Sequence, residues 1–334
     1  MSSTRIAMVG AGSVARRHVG VLSGLPDTRV VAVCDPVEEA AADLARECDA
    51  RAFTDTEQAL EYPDLDAVYI CVPPFAHGMP EKAVLARGLA MFVEKPVAVD
   101  LAVAEELGAR VAEAGVVTGT GYHWRCLDVL PHAQDLLEAS PPLLASGYWL
   151  DKRPPVAWWG RADRSGGQVI EQLTHVLDLT RMLLGEVSEV YAAGARQHLP
   201  AAPDGTRSDQ SAEDLGDVDD ATAATVRFAS GVVATLAATS LLDAKHRAAL
   251  HTMSRGLVLE LSETGMVVDD GRSRTEHTPQ EDPRTAVDRD FVAAVRGELA
   301  QTRAPYAEAL RSHRVGCAVA ESARTGRPVT LAAR

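Results

Sequence analysis

Aromatic residues make up only 4% of this 334-residue chain, and its five cysteines are too scattered and too odd in number for a disulfide framework. Cys34, Cys48, Cys71, Cys126 and Cys317 form no CxxC pair. That argues against structural zinc and for reduced core thiols in a cytoplasm, and the expectation is of no metal. Positive charge is short as well: 33 Lys and Arg face 47 Asp and Glu, a net charge of −14. Such an excess of carboxylates repels phosphate backbones and anionic lipid, so neither nucleic acid nor a membrane is an expected partner. No apolar run approaches the roughly 20 residues of a spanning helix. The opening Met1-Ser2-Ser3-Thr4-Arg5 leads straight into a strand-like run, from which no signal peptide is expected. No internal repeat is visible.

A composition that is 46% hydrophobic over this length can bury a large core and predicts two domains. The first 120 residues alternate β-branched runs (Arg5–Val9, Arg29–Cys34, Ala67–Val72, Met91–Val93, Val116–Thr120) with helical stretches near 14–24, 37–47, 77–88 and 101–114. Continuous apolar strands between amphipathic helices predict a parallel sheet covered on both faces, with Asp100 capping the helix from Leu101. After Tyr122 the rhythm changes. A helix is expected near 166–184, then strands at 187–194, 221–229, 232–242, 246–253 and 257–268, with a hairpin turn at Phe228–Val232. Strands without intervening helices predict a mostly antiparallel α+β second domain. Pro200–Asp220 is expected to be a mobile loop, and helices near 284–297 and 306–325 close the chain. The expected division is residues 1–122 and 123–334.

The sharpest local pattern is Val9-Gly10-Ala11-Gly12-Ser13-Val14-Ala15, with Asp35 closing the next strand. Gly10 permits a tight turn, and Gly12 lets backbone approach a pyrophosphate. Small Ala15 lets helix pack on strand, and the helix start at Ser13 and Val14 offers unpaired N–H groups. At Asp35 a carboxylate can accept both ribose hydroxyls and repel a 2′-phosphate, which favours NAD over NADP. A second strand end, Val93-Glu94-Lys95-Pro96, follows in the same series. Lys95 suits a proton-transfer or alkoxide-stabilising role, although a solvated strand-end lysine is the plainer alternative.

These pieces resemble, in order along nearly the whole chain, the glucose–fructose oxidoreductase/inositol dehydrogenase (Gfo/Idh/MocA) family. Beside Glu94-Lys95-Pro96 stand Cys71-Val72-Pro73-Pro74-Phe75-Ala76-His77, Gly121-Tyr122-His123-Trp124-Arg125, the run Gly166–Asp178 and the ending Ser322–Val329. The resemblance implies a Rossmann domain followed by an open-faced sheet that packs on another subunit, hence a homodimer or homotetramer. It implies hydride exchange at a secondary alcohol or ketone of a sugar, cyclitol or polyol. By the same resemblance Val72, Pro73, His77, Glu94, Lys95 and Arg125 are expected at the cofactor, and Lys95, His175 and Glu171 at the chemistry. Glu171 stands where the family usually has Asp, and His123 where it often has Asn. Relatives also include glycoside hydrolases that retain NAD and nucleotide-sensing regulators without turnover, and both stay open as alternatives.

On the residues alone, Glu171, Thr174, His175 and Asp178 could equally be the polar face of an amphipathic helix whose core stripe is Val169, Leu173, Val176 and Leu177. His123, Asp178, Trp158 and Trp159 are the substrate-side expectations. All four tryptophans fall between 124 and 159, and Trp149 has the pattern of a core strand residue. Lys152, Arg153 and Arg161 flank the pair, while Arg16 and Arg17 are expected to be surface charges.

Overall fold

A computed structural model describes residues 3–196 and 216–332, which form two compact units. The first comprises Met1–Leu127 and Glu281–Arg311; the second comprises Asp128–Gln280 and Ser312–Arg334. Residues 281–311 thus return to the first unit, unlike the continuous second domain expected from His123 onward. The cause is packing. Phe291, on the helix Pro283–Val295, places its ring 5.3 Å from Tyr69 and 5.5 Å from Phe92, inside the first unit's core.

In that unit the described strands are β1 (Thr4–Val9), β2 (Thr28–Cys34), β3 (Arg51–Phe53), β4 (Ala67–Ile70), β5 (Ala90–Val93) and β6 (Thr118–Thr120). They pair in parallel in the order β3-β2-β1-β4-β5-β6. The intervening helices are α1 (Ser13–Leu22), α2 (Glu38–Glu47), α3 (Thr56–Leu60), α4 (Met79–Leu85) and α5 (Leu101–Ala114). Ile6, Ala7, Met8 and all of β4 are fully buried, as strands covered on both faces must be. Asp100 caps α5 by accepting the Ala102 N–H at 2.8 Å. The sequence pattern missed β3 and α3, two elements of three and five residues that carry no full period.

The second unit holds a mostly antiparallel sheet. Its described strands are β7 (Leu144–Leu150), β8 (Val187–Ala195), β9 (Ala221–Phe228), β10 (Val233–Thr239), β11 (Arg247–Ser254), β12 (Leu257–Ser262), β13 (Gly265–Asp269), β14 (Arg274–His277) and β15 (Val329–Thr330). Their order is β14-β13-β12-β11-β7-β10-β9-β8-β15, with β7 and β10 parallel. The run 257–268 is two strands, because the Glu263-Thr264 turn reverses the chain. Burial alternates along β9 and β10, so one face is covered and the other is not. The Thr174–Leu184 helix packs on β7 and β11. The loop expected at Pro200–Asp220 lies, up to residue 215, outside the described residues.

Candidate functional site

The strand order makes β1 and β4 neighbours where the chain direction of winding reverses, and ligands of such sheets bind beyond the strands' carboxyl ends at that point. The glycine turn follows β1, Val72-Pro73 follows β4, and Glu94-Lys95 follows β5.

Gly10 is demanded by the protein itself. Its φ is +95°, and a Cβ there would lie 2.5 Å from the Cys71 carbonyl oxygen. Gly12 is different: a Cβ would meet no atom within 4 Å. Among the described residues no packing requires glycine there, and its bare backbone leaves room for a group from outside. Gly12 is the N-cap of α1 without a side-chain cap, and Ser13 and Val14 are exposed, so the first N–H groups of the helix face that approach. Asp35 braces the turn. Its Oδ2 accepts the Ala11 N–H and its Oδ1 the Val37 N–H, each at 2.9 Å. A carboxylate has about four lone-pair directions, which leaves capacity for a ribose hydroxyl pair. These features fit a dinucleotide.

Several expected cofactor residues turn inward instead. Glu94 is 5% exposed. Its Oε1 accepts from His18 Nε2 at 2.9 Å and Arg17 at 3.0 Å, and its Oε2 accepts the Lys95 N–H at 3.0 Å. It holds the strand end, and burial this deep requires partners for both oxygens. Burial would raise its carboxyl, but the His18 hydrogen bond and charge, then Arg17 and Lys95, overcome that and hold it at about 2. Arg17 is therefore not the free surface charge expected of it. His77 is buried too, its Nδ1 paired with Glu81 at 2.6 Å while Glu81 also accepts the Gly78 N–H. Arg125 is buried on the short turn His123–Cys126 and reaches Glu308 at 3.3 Å. His123, also buried, has Nδ1 3.3 Å from the Gly121 carbonyl oxygen. Lys95 is half-buried.

In the second unit the expected long helix is broken. Gly166 and Gly167 have positive φ, a single turn covers Gln168–Glu171, and the main helix starts at Thr174. Glu171 and His175 thus sit on different helices. Glu171 accepts the Trp159 indole N–H at 3.0 Å, which fixes Trp159, itself 2% exposed, as an interior anchor. Trp158 is half-buried. His175 is 4% exposed and lies nearly parallel to the Trp149 indole, ring centres 5.6 Å apart. The Trp149 N–H is held by Asp151 at 3.1 Å, and the Lys245 ammonium stands 4.3 Å from the same ring. Asp178 is 1% exposed and accepts the Ser312 hydroxyl, which also takes a bond from Arg181. That placement gives Asp178 a buried partner within its own unit. The proposed polar face is buried along with the apolar one, since residues 174–181 are all buried.

Sequence reasoning missed His18 and Asp288, and took Gly121 only as part of a motif. His18 shares the buried face of the first helix with Ala15, Val19 and Leu22, and that helical spacing is the local signal that could have found it. Among the described residues no His, Cys, Asp and Glu cluster is placed to hold a metal ion, and no helix is long and apolar enough to cross a membrane.

Comparison with known proteins bears on this arrangement. Residues 4–122 match the model of the oxidoreductase family with an NAD-binding Rossmann fold, and residues 141–256 match the GFO/IDH/MocA C-terminal domain. The chain belongs to the GFO/IDH/MocA family. One curated GFO/IDH/MocA-like relative is the scyllo-inositol 2-dehydrogenase (NAD(+)) of Bacillus subtilis, 30% identical over 65% of this chain and 62% of that protein. Another is the myo-inositol 2-dehydrogenase of Thermotoga maritima, 26% identical over 69% of this chain and 66% of that protein. The chain thus spans less than two thirds of the length of either relative. Among solved structures, levoglucosan dehydrogenase in complex with NADH and L-sorbose superposes with a TM-score of 0.85 over 99% of both chains at 20% identity, a likeness of fold.

Proposed function

We propose that this protein is an NAD(H)-dependent oxidoreductase acting on a secondary alcohol or ketone of a sugar, cyclitol or polyol. The observation that carries the reading is the gathering of the Gly10–Gly12 turn, Asp35 and Lys95 at the carboxyl ends of β1, β2 and β5 in one sheet. The named activities of the inositol dehydrogenase relatives support the substrate class.

Bound NAD supplies the hydride acceptor. The chain's own part begins with the α1 N–H groups and dipole, which neutralise the phosphates. Asp35 accepts the ribose hydroxyls and repels a 2′-phosphate. Lys95 stabilises the developing alkoxide and moves its proton at Nζ. His175 is the second unit's proton-transfer residue, its ring oriented against Trp149, and Glu171 supports that region by fixing Trp159. We also assign the protein to the cytoplasm, in keeping with five cysteines of which none is in a disulfide, and to a homo-oligomer built on the uncovered face of the second sheet.

Tryptophan-excited fluorescence titration with NADH and NADPH tests the cofactor reading. NADH is expected to bind at least about tenfold more tightly; equal affinity removes Asp35 from its role. Lys95→Ala should then cut kcat on an oxidised cyclitol or sugar by about 100-fold or more, and full retention of turnover would sink the mechanism. Light scattering at micromolar concentration checks the oligomer, and a monomer would count against it.

A further inference from the structure

The first unit contains a charged chain that the proposed chemistry does not use. His18, on α1, is fully buried, and so is Asp288, on the helix Pro283–Val295. His18 Nδ1 lies 2.7 Å from Asp288 Oδ1, and its Nε2 lies 2.9 Å from Glu94 Oε1. Glu94's other oxygen takes the Lys95 backbone N–H at 3.0 Å. Three segments far apart in sequence therefore end in one line, Asp288 to His18 to Glu94 and its neighbour Lys95. The line is tightly enclosed. Tyr69 and Phe92 rings lie 5.2 and 5.1 Å from the His18 ring. A Cβ on Gly121 would stand 2.3 Å from Glu94 Oε2, so that glycine exists to admit the carboxylate.

We propose that His18 and Asp288 are positioning residues for Lys95, acting through Glu94. A carboxylate this deeply buried adopts one orientation only if each oxygen is satisfied, and the cation on its far side decides which way it turns. His18 supplies that cation and Asp288 holds it; the orientation of Glu94 then sets where the Lys95 backbone leaves β5. The titratable and charged groups around His18 and its two carboxylate partners are Arg17 on its own helix, Tyr69 and Cys71 from β4 and its end, Glu94 and Lys95 from the end of β5, and Asp288 from the late helix. Burial, with the nearby Asp288 and Glu94 charges, pushes the Tyr69 hydroxyl and Cys71 thiol well up, so both stay neutral. Burial alone would lower His18, but the Asp288 charge and hydrogen bond, then Glu94, raise it to about 9.

This inference rests on the proton-transfer role proposed for Lys95, but its test does not require turnover. The chain contains four lysines, Lys82, Lys95, Lys152 and Lys245, so protein labelled with ¹³C at lysine Cε gives an NMR spectrum in which Lys95 is assigned by one Lys95→Arg variant. In full-length His18→Gln, His18→Leu and Asp288→Asn, the Lys95 resonance is expected to shift. Leu should perturb more than Gln, which keeps an N–H donor for Glu94 at similar volume. With a turned-over substrate, kcat should fall on the order of tenfold with KM for NAD nearly unchanged, as a slightly misplaced reacting group does. A Lys95 resonance unmoved in variants that remain folded would overturn the proposal. Should the variants not fold, ¹⁵N-histidine spectra of the unaltered protein decide: His18 is expected to carry protons on both ring nitrogens near neutral pH, and a neutral ring there refutes the arrangement. Absence of turnover on every polyol would sink the functional reading and leave the lysine result standing.

Discussion

The buried His18 makes a prediction about stability that can be worked out from its surroundings. Its proton affinity rises from the ordinary 6.5 to about 9 on folding, burial opposing and Asp288 and Glu94 favouring the charged ring. A group raised in the folded state stabilises fully below its unfolded value and loses that contribution as pH climbs through its folded value. The stabilisation is therefore complete below about pH 6.5 and gone above about pH 9. At about 1.4 kcal/mol for each tenfold change in affinity, it amounts to roughly 3 kcal/mol. Glu94, lowered to about 2, runs the other way: its contribution is present above about pH 4.5 and lost as pH falls through about 2. The two groups share one ion pair, counted once, and both contributions are in full force between about pH 4.5 and 6.5. The assay is urea unfolding followed by circular dichroism at about pH 6 and about pH 9.5, on the unaltered protein and on His18→Gln. The unaltered protein should lose roughly 3 kcal/mol more than the variant across that interval. The same fall in both proteins would refute the charged, buried imidazole.

Three further outcomes follow from the geometry. Asp35→Ser removes the acceptor of the Ala11 N–H and the repulsion of a 2′-phosphate, so NADPH affinity should rise relative to NADH by at least about tenfold in fluorescence titration. Gly121→Ala places a methyl 2.3 Å from Glu94 Oε2 and should shift the Lys95 lysine resonance in the same sense as His18→Leu; an unchanged spectrum would mean the carboxylate does not sit there. Phe291→Ala empties a fully buried ring site beside the stacked Tyr69 and Phe92 rings and should cost about 3–5 kcal/mol in urea unfolding. A loss under about 1 kcal/mol would show that the late helix does not belong to the first unit's core.

What the chain alone determined was whatever repeats locally. The β-branched runs and glycine turn announced β1, β2, β4 and β5, because a strand covered on both faces is apolar throughout and Gly10 must take a positive φ. The succession of strand-like runs without intervening helices likewise announced a mostly antiparallel sheet. Asp35 and Lys95 were legible because both end a strand, where side chains must leave the sheet. Contacts between distant segments were not legible. No periodicity tells that Asp288 meets His18, 270 positions earlier, or that Phe291 fills the core beside Tyr69. The break between Glu171 and Thr174 was hidden for a related reason: the polar residues that looked like a solvent face are buried beside partners such as Ser312 and Trp159. Such pairings are decided by close packing and by the need of each buried polar atom for a partner, and only the folded chain supplies them.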